Sequence, residues 1–276
     1  VATVPEIRRH KRAAGAAPLV MVTAYDEPSA RLADAAGVDL LLVGDSVANT
    51  VLGYPDTLHV TIDDLARHTA AVARATPTAL VVGDLPWMSY HTGVADAVRN
   101  AATLVRAGAG CVKLEGGAIR TPVVEGILAA EIPVMGHLGL TPQSVHAMGG
   151  YRVQGRALDD AKHLVEDAHA LEDAGCFALV LEGVPDALAE RITAVLAIPT
   201  IGIGAGPSTD GQVLVFHDLL GLGNRPLAKF VREYASLGPQ VTAAIGRFAA
   251  DVREGRFPGP DETYAASAEL RQALEG

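Results

Sequence analysis

The sequence predicts an α/β protein folded as a single closed (β/α)8 barrel, with an N-terminal helix, a reduced seventh helix and a C-terminal helical extension. Eight short apolar runs alternate with amphipathic segments, and the runs carry no polar face, as parallel strands covered on both sides require. Small junctions such as Ala35-Ala36-Gly37-Val38 and Asp173-Ala174-Gly175-Cys176 join a helical pattern to the next run. The 276 residues suit one TIM-type barrel of about 250 residues with extensions. The whole chain, 1–276, therefore reads as one domain, with 1–17 as the N-terminal helix and about 239–276 as the extension. An open doubly wound sheet is the alternative, and the count of eight strands selects the closed form.

Thr3 is the candidate cap of the first helix, and Pro18 to Tyr25 form the first strand, ending at Asp26. Pro28 suits the first turn of the next helix, which stops at Gly37. The run Leu40-Leu41-Leu42-Val43 is the second strand and breaks at Gly44-Asp45-Ser46. A longer loop, Val47 to Val60, is a candidate lid over the strand ends. Thr61 and Asp64 stand in a capping-box relation before a helix whose Ile62, Leu65, Ala66, Thr69, Val72 and Ala73 share one face. Strand three runs Leu80 to Asp84, and the stripe Val94, Ala97, Val98, Ala101, Leu104 and Val105 precedes strand four, Cys111 to Glu115.

A short helix after Thr121-Pro122 leads to strand five, Ile132 to His137, and then to a long polar loop through Gly149-Gly150 to Gly155-Arg156. A helix through Ala161, Leu164, Val165, Ala168 and Leu171 precedes strand six, which ends at Glu182, and a helix over 186–196 precedes strand seven, Ile198 to Ile203. The link from Gly204 to Gly211 is too short for a crossover helix before strand eight, Gln212 to Phe216. Leu227, Phe230, Val231 and Tyr234 are expected to supply the eighth helix, Val241, Ile245, Phe248 and Val252 a further one, and a last short helix follows Phe257-Pro258-Gly259-Pro260.

A formal net charge of -10 provides no basic field for a nucleic acid backbone. No apolar stretch approaches the roughly 20 residues of a membrane helix, so neither nucleic acid nor membrane is an expected partner. The basic run Arg8-Arg9-His10-Lys11-Arg12 reads as a solvated helix face. Cys111 and Cys176 fall at strand starts, opposite the acidic ends, and read as small buried apolar residues of a reducing compartment, so a cytoplasmic protein is expected.

Four strands end on acids: Asp45, Asp84, Glu115 and Glu182. An acid after a strand often only caps the next helix. Four converging on one mouth are electrostatically costly unless a cation lies among them or a proton is held or moved there. Asp45, Asp84 and Glu115 offer hard oxygens without a His or Cys pair, which favours Mg2+, with Mn2+ as the alternative, over zinc. Magnesium keeps positions for water or substrate, and a 2-oxo acid offers its ketone and carboxylate oxygens.

Lys113, which faces the same way as Glu115, balances the substrate carboxylate or forms a structural ion pair with an acid. Ser46 is a hydrogen-bond donor to the substrate, and Glu182, on another strand, is free to act as the base. His137 is given a substrate-positioning role only. The glycines of Ile201-Gly202-Ile203-Gly204-Ala205-Gly206 suit either phosphate binding or a tight backbone corner.

Several ordered motifs now carry a resemblance: Gly44-Asp45-Ser46 with Val51-Leu52-Gly53-Tyr54, His68-Thr69-Ala70-Ala71-Val72, Lys113-Leu114-Glu115-Gly116-Gly117, and His137-Leu138-Gly139-Leu140-Thr141-Pro142-Gln143-Ser144. Gly149-Gly150-Tyr151-Arg152-Val153-Gln154-Gly155-Arg156 and Gly202-Ile203-Gly204-Ala205-Gly206 through Asp210-Gly211-Gln212-Val213-Leu214-Val215 continue it. The chain from about Val4 to the tail resembles the ketopantoate hydroxymethyltransferase family, departing locally at Val47-Ala48-Asn49-Thr50.

The resemblance implies transfer of a hydroxymethyl group from the co-substrate 5,10-methylenetetrahydrofolate to 3-methyl-2-oxobutanoate, giving ketopantoate for pantothenate and coenzyme A. It implies metal ligation at Asp45, Asp84 and Glu115, oxo-acid contacts at Asp45, Ser46, Asp84 and Lys113, a proton acceptor at Glu182, and a homodecamer. The competing readings are another magnesium-dependent enolate enzyme acting on oxo acids, a lyase or mutase, and a non-catalytic barrel subunit.

Overall fold

The computed structural model describes residues 2–223 and 226–275. Eight parallel strands close into a barrel in sequence order: β1 Leu19–Thr23, β2 Leu40–Val43, β3 Leu80–Asp84, β4 Cys111–Glu115, β5 Val134–Gly139, β6 Ala178–Glu182, β7 Thr200–Ile203 and β8 Gly211–Leu214. Pairing of β1 with β8, Met21 against Val213, makes the closure. The closed barrel is thus as expected from the eight apolar runs. Crossover helices Glu27–Ala35, Ile62–Ala73, Val94–Arg106, Thr121–Ala129, Leu158–Asp173 and Asp186–Val195 follow the first six strands, and no helix lies between β7 and β8.

The strand period of two divides the core. Leu41 and Val43 face outward into the layer shared with the helices, where Leu65, Val72, Leu104, Ile127 and Leu171 are also buried. Leu40 and Leu42 face inward with Leu19, Met21, Leu80, Val82, Cys111, Met135, Ala178, Val180, Ile201 and Val213, and they fill the barrel interior. Ile7, on the N-terminal helix, joins this interior cluster. Burial pushes the Cys176 thiol up to about 12 and raises that of Cys111 as well, so both behave as apolar groups.

Three expectations are corrected. The N-terminal helix spans only Val4–Arg8, with the Thr3 and Glu6 capping box, and a separate 3-10 turn covers Arg12–Ala14. The basic run is not wholly solvated: Lys11 Nζ lies 2.6 Å from the buried Asp210 carboxylate, and Arg12 donates to the carbonyl of Thr209. Finally, the helix after β8 is the single turn Phe216–Leu219, and residues 226–236 form no helix. The apolar spacing of Leu227, Phe230 and Val231 instead serves a coil laid over the barrel mouth, tied back by Tyr234 N–H donating to Leu219 O. Helices Leu237–Arg253 and Ala268–Leu274 complete the extension. No helix among the described residues is long and apolar enough to cross a membrane.

Candidate active site

The alternation that fills the barrel also builds its mouth. Inward positions run Leu80, Val82, Asp84 on β3, Cys111, Lys113, Glu115 on β4, and Ala178, Val180, Glu182 on β6, so each strand turns from apolar to ionisable near its carboxyl end. Met135 and His137 do the same on β5. Asp45 and Ser46 follow the sharp end of β2. Asp45, Ser46, Asp84, Lys113, Glu115, His137 and Glu182 all line one cavity of about 410 Å³. Apolar Leu42, Val180, Ile203 and Val213 form other parts of its lining, and Leu227, Phe230 and Val231 reach it from the coil.

Helix capping does not account for these groups. Asp26 does cap its helix, accepting from Ser29 N. By contrast, Asp84 Oδ2 accepts from Asp45 N at 3.0 Å, Glu115 Oε2 from Gln143 N at 3.0 Å, and Asp45 Oδ2 from Gln143 Nε2 at 3.0 Å. Ser46 spends no side-chain bond on the short helix after it; its hydroxyl is 2.8 Å from Tyr25 Oη. Lys113 Nζ lies 2.7 Å from Asp84 Oδ1, so its ion-pair partner is Asp84 and not Glu115. His137 sits between two acids, Nδ1 3.4 Å from Glu115 Oε1 and Nε2 3.2 Å from Glu182 Oε2. Glu115 Oε1 and His137 Nε2 have no aligned hydrogen bond, so these are charge contacts.

Burial, together with the charges of Asp84 and Glu115, pushes the Asp45 carboxyl well above its ordinary range. Asp84 is also raised, burial and Glu115 outweighing the pull of Lys113. Glu115 is lowered: burial opposes this, but His137, Lys113 and the Gln143 N–H prevail. Burial and Lys113 act to lower His137, yet Glu115 and Glu182 carry it up to about 9. Lys113 is raised despite burial because three acids surround it.

The donor set fits a hard cation. Glu115 Oε1 is a buried oxygen without a hydrogen-bond donor, and Asp84 Oδ1 faces only the Lys113 ammonium. Among the described residues no three His, Cys, Asp or Glu side chains are gathered so as to hold a metal ion by themselves. Gln143, Tyr25 and Tyr90 take part in this network and were not singled out from the sequence. The sequence signal for Gln143 was its place inside the motif from His137 to Ser144. The glycine loop shows a packing need: Gly204 and Gly206 both have positive φ, and an added Cβ would meet Phe230 and Asp186.

Comparison with known proteins adds to the geometry. Residues 2–260 match the model of a family described as ketopantoate hydroxymethyltransferase. A 3-methyl-2-oxobutanoate hydroxymethyltransferase of Methylobacterium sp. (strain 4-46) is 58% identical over 257 residues, covering 93% of this chain and 89% of that one. The enzyme of the same name from Moorella thermoacetica is 56% identical, covering 89% and 92%. Among solved structures, 2,3-dimethylmalate lyase aligns with TM-score 0.61 at 19% identity, over 100% of this chain and 94% of that one. Phosphonopyruvate hydrolase in complex with oxalate and Mg2+ aligns with TM-score 0.59 at 14% identity, over 99% and 95%; at such identities the likeness is one of fold. The chain belongs to the ketopantoate hydroxymethyltransferase family.

Proposed function

We propose that this protein transfers a hydroxymethyl group from 5,10-methylenetetrahydrofolate to 3-methyl-2-oxobutanoate, giving 2-dehydropantoate (ketopantoate) for pantothenate and coenzyme A synthesis in the cytoplasm. The observation that carries the reading is the convergence of every acid and base it needs on one cavity, in a chain 50–58% identical to relatives of that name. Asp45 and Asp84 would hold Mg2+, or Mn2+ in its place, with Glu115 joining them directly or through water. The bound ion supplies Lewis acidity that makes the carbon next to the ketone easier to deprotonate.

The remaining work falls to the side chains. Lys113 and Ser46 hold the substrate carboxylate and fix the oxo acid against the rim. Glu182 takes the proton from the carbon beside the ketone, and His137, in contact with Glu182 Oε2, orients that carboxylate and the substrate. That carbon then bonds to the methylene carbon of the folate as its two bonds to the folate nitrogens break; one water supplies the hydroxyl oxygen, and the water's remaining proton together with the one taken by Glu182 end on the two nitrogens of the departing tetrahydrofolate. Leu227, Phe230 and Val231 form an apolar side of the mouth.

Incubation of the protein with 3-methyl-2-oxobutanoate and the folate should yield ketopantoate, and a chelator should abolish turnover until Mg2+ is restored. Turnover unaffected by the chelator removes the metal from the scheme. Cleavage of an oxo acid without folate would instead favour a lyase.

The protein is proposed to assemble as a homodecamer. Val241, Ile245, Phe248 and Val252 recur along one face of Leu237–Arg253, all exposed in the single chain, as a helix covered by another copy would be. Light scattering is expected to give the mass of ten chains, and a monomer at working concentration would exclude the assembly.

A further inference from the structure

We propose that Gln143 is a positioning residue that sets Asp45 and Glu115 for a divalent cation, fixing one oxygen of each acid so that the other is left for the ion. This rests on the reading of the three acids as a cation site.

Gln143 lies in the 3-10 turn Pro142–Ser144 after β5 and is buried. Its Nε2 donates to Asp45 Oδ2 and to Leu85 O, both at 3.0 Å. Its Oε1 accepts from Tyr90 Oη at 2.7 Å. Its own backbone N–H donates to Glu115 Oε2 at 3.0 Å. The Leu85 carbonyl can only accept, so the amide has a single orientation, with NH2 toward Asp45. Tyr90 is held in turn, its hydroxyl accepting from Glu115 N at 3.2 Å while Arg120 lies over its ring.

One residue thus spans acids from two strands. Asp45 Oδ2 and Glu115 Oε2 are occupied by its N–H groups, and Glu115 Oε1 is left buried without a donor. Asp84 is held by other donors: Oδ2 takes Asp45 N, and Oδ1 lies 2.7 Å from Lys113 Nζ. A carboxylate with one oxygen pinned cannot rotate to share both with a neighbour. The free oxygens are therefore fixed in direction before an ion arrives, as partners behind metal ligands do elsewhere.

The test is Mn2+ binding without substrate, followed by electron paramagnetic resonance on the full protein, with thermal unfolding of the metal-free form alongside. Gln143→Met keeps the volume and removes the amide; its Mn2+ affinity should fall about 10–100-fold. Tyr90→Phe removes the hydroxyl that donates to the Gln143 carbonyl and accepts from Glu115 N, so it loosens the support of both Gln143 and Glu115 while leaving the amide in place, and it should weaken Mn2+ binding less and in the same direction. Should Gln143→Met not fold, Tyr90→Phe decides the matter. Wild-type Mn2+ affinity in the decisive variant, with or without a lower melting temperature, leaves Gln143 a structural residue and overturns the proposal. Absence of Mn2+ binding by the wild-type protein would overturn the cation-site reading itself and the proposal with it.

Discussion

Replacing Glu182 with Gln is expected to lower kcat by about 10²–10⁴-fold while leaving binding of the oxo acid nearly intact, the range removed with a positioned general base. Glu182 ends β6 at the mouth, and its only charge contact among the described residues is with His137. It is not needed to complete a shell formed by Asp45, Asp84 and Glu115, and a carboxylate ligated to a cation is a weaker base. Glutamine keeps the shape and still offers an oxygen to His137, so the change removes basicity with little else. Hydrogen–deuterium exchange at the substrate carbon beside the ketone, measured without folate, isolates the proton step from the bond-forming one. Exchange at the wild-type rate in Glu182→Gln would take the residue out of that role.

Much of this architecture was legible because it is local. A buried parallel strand is a short apolar run, and period two then decides which residues look inward, so the sequence alone assigns Asp84, Lys113, Glu115 and Glu182 to one mouth. The missing seventh helix was equally readable from the few residues between Gly204 and Gly211. What escaped was tertiary. Gln143 acts because the loop after β5 folds back over the rim, a path that no periodicity encodes. Leu227, Phe230 and Val231 have helical spacing, yet the same spacing suits a coil that lays its apolar residues over a cavity. Lys11, in a run of cations that reads as a solvated face, meets an acid far along the chain.

That distant pair carries the largest expected change in stability. Asp210, fully buried just before β8, accepts from Lys11 Nζ at 2.6 Å and Thr200 N at 3.0 Å through Oδ2, and from Arg12 N at 2.9 Å through Oδ1. Lys11 Nζ also donates to the carbonyls of Thr193 and Ile198, so one carboxylate ties the N-terminal segment to the starts of β7 and β8. Asp210→Ala leaves the ammonium without its counter-charge and two backbone N–H groups without acceptors. Breaking one side of a buried ion pair costs about 3–5 kcal/mol. At roughly 2–4 °C per kcal/mol for a large domain, the melting temperature should fall by about 6–20 °C at matched protein concentration. Lys11→Met should lose stability too, and the double variant Lys11→Met with Asp210→Ala should lose less than the two single changes summed, because the partners share one interaction. Since Asp210 stands at the amino ends of the strands, kcat measured well below the melting point should stay unchanged. A shift in melting temperature of less than a degree in Asp210→Ala would show that the segment is held by its packing, with Ile7 in the barrel floor, and not by this carboxylate.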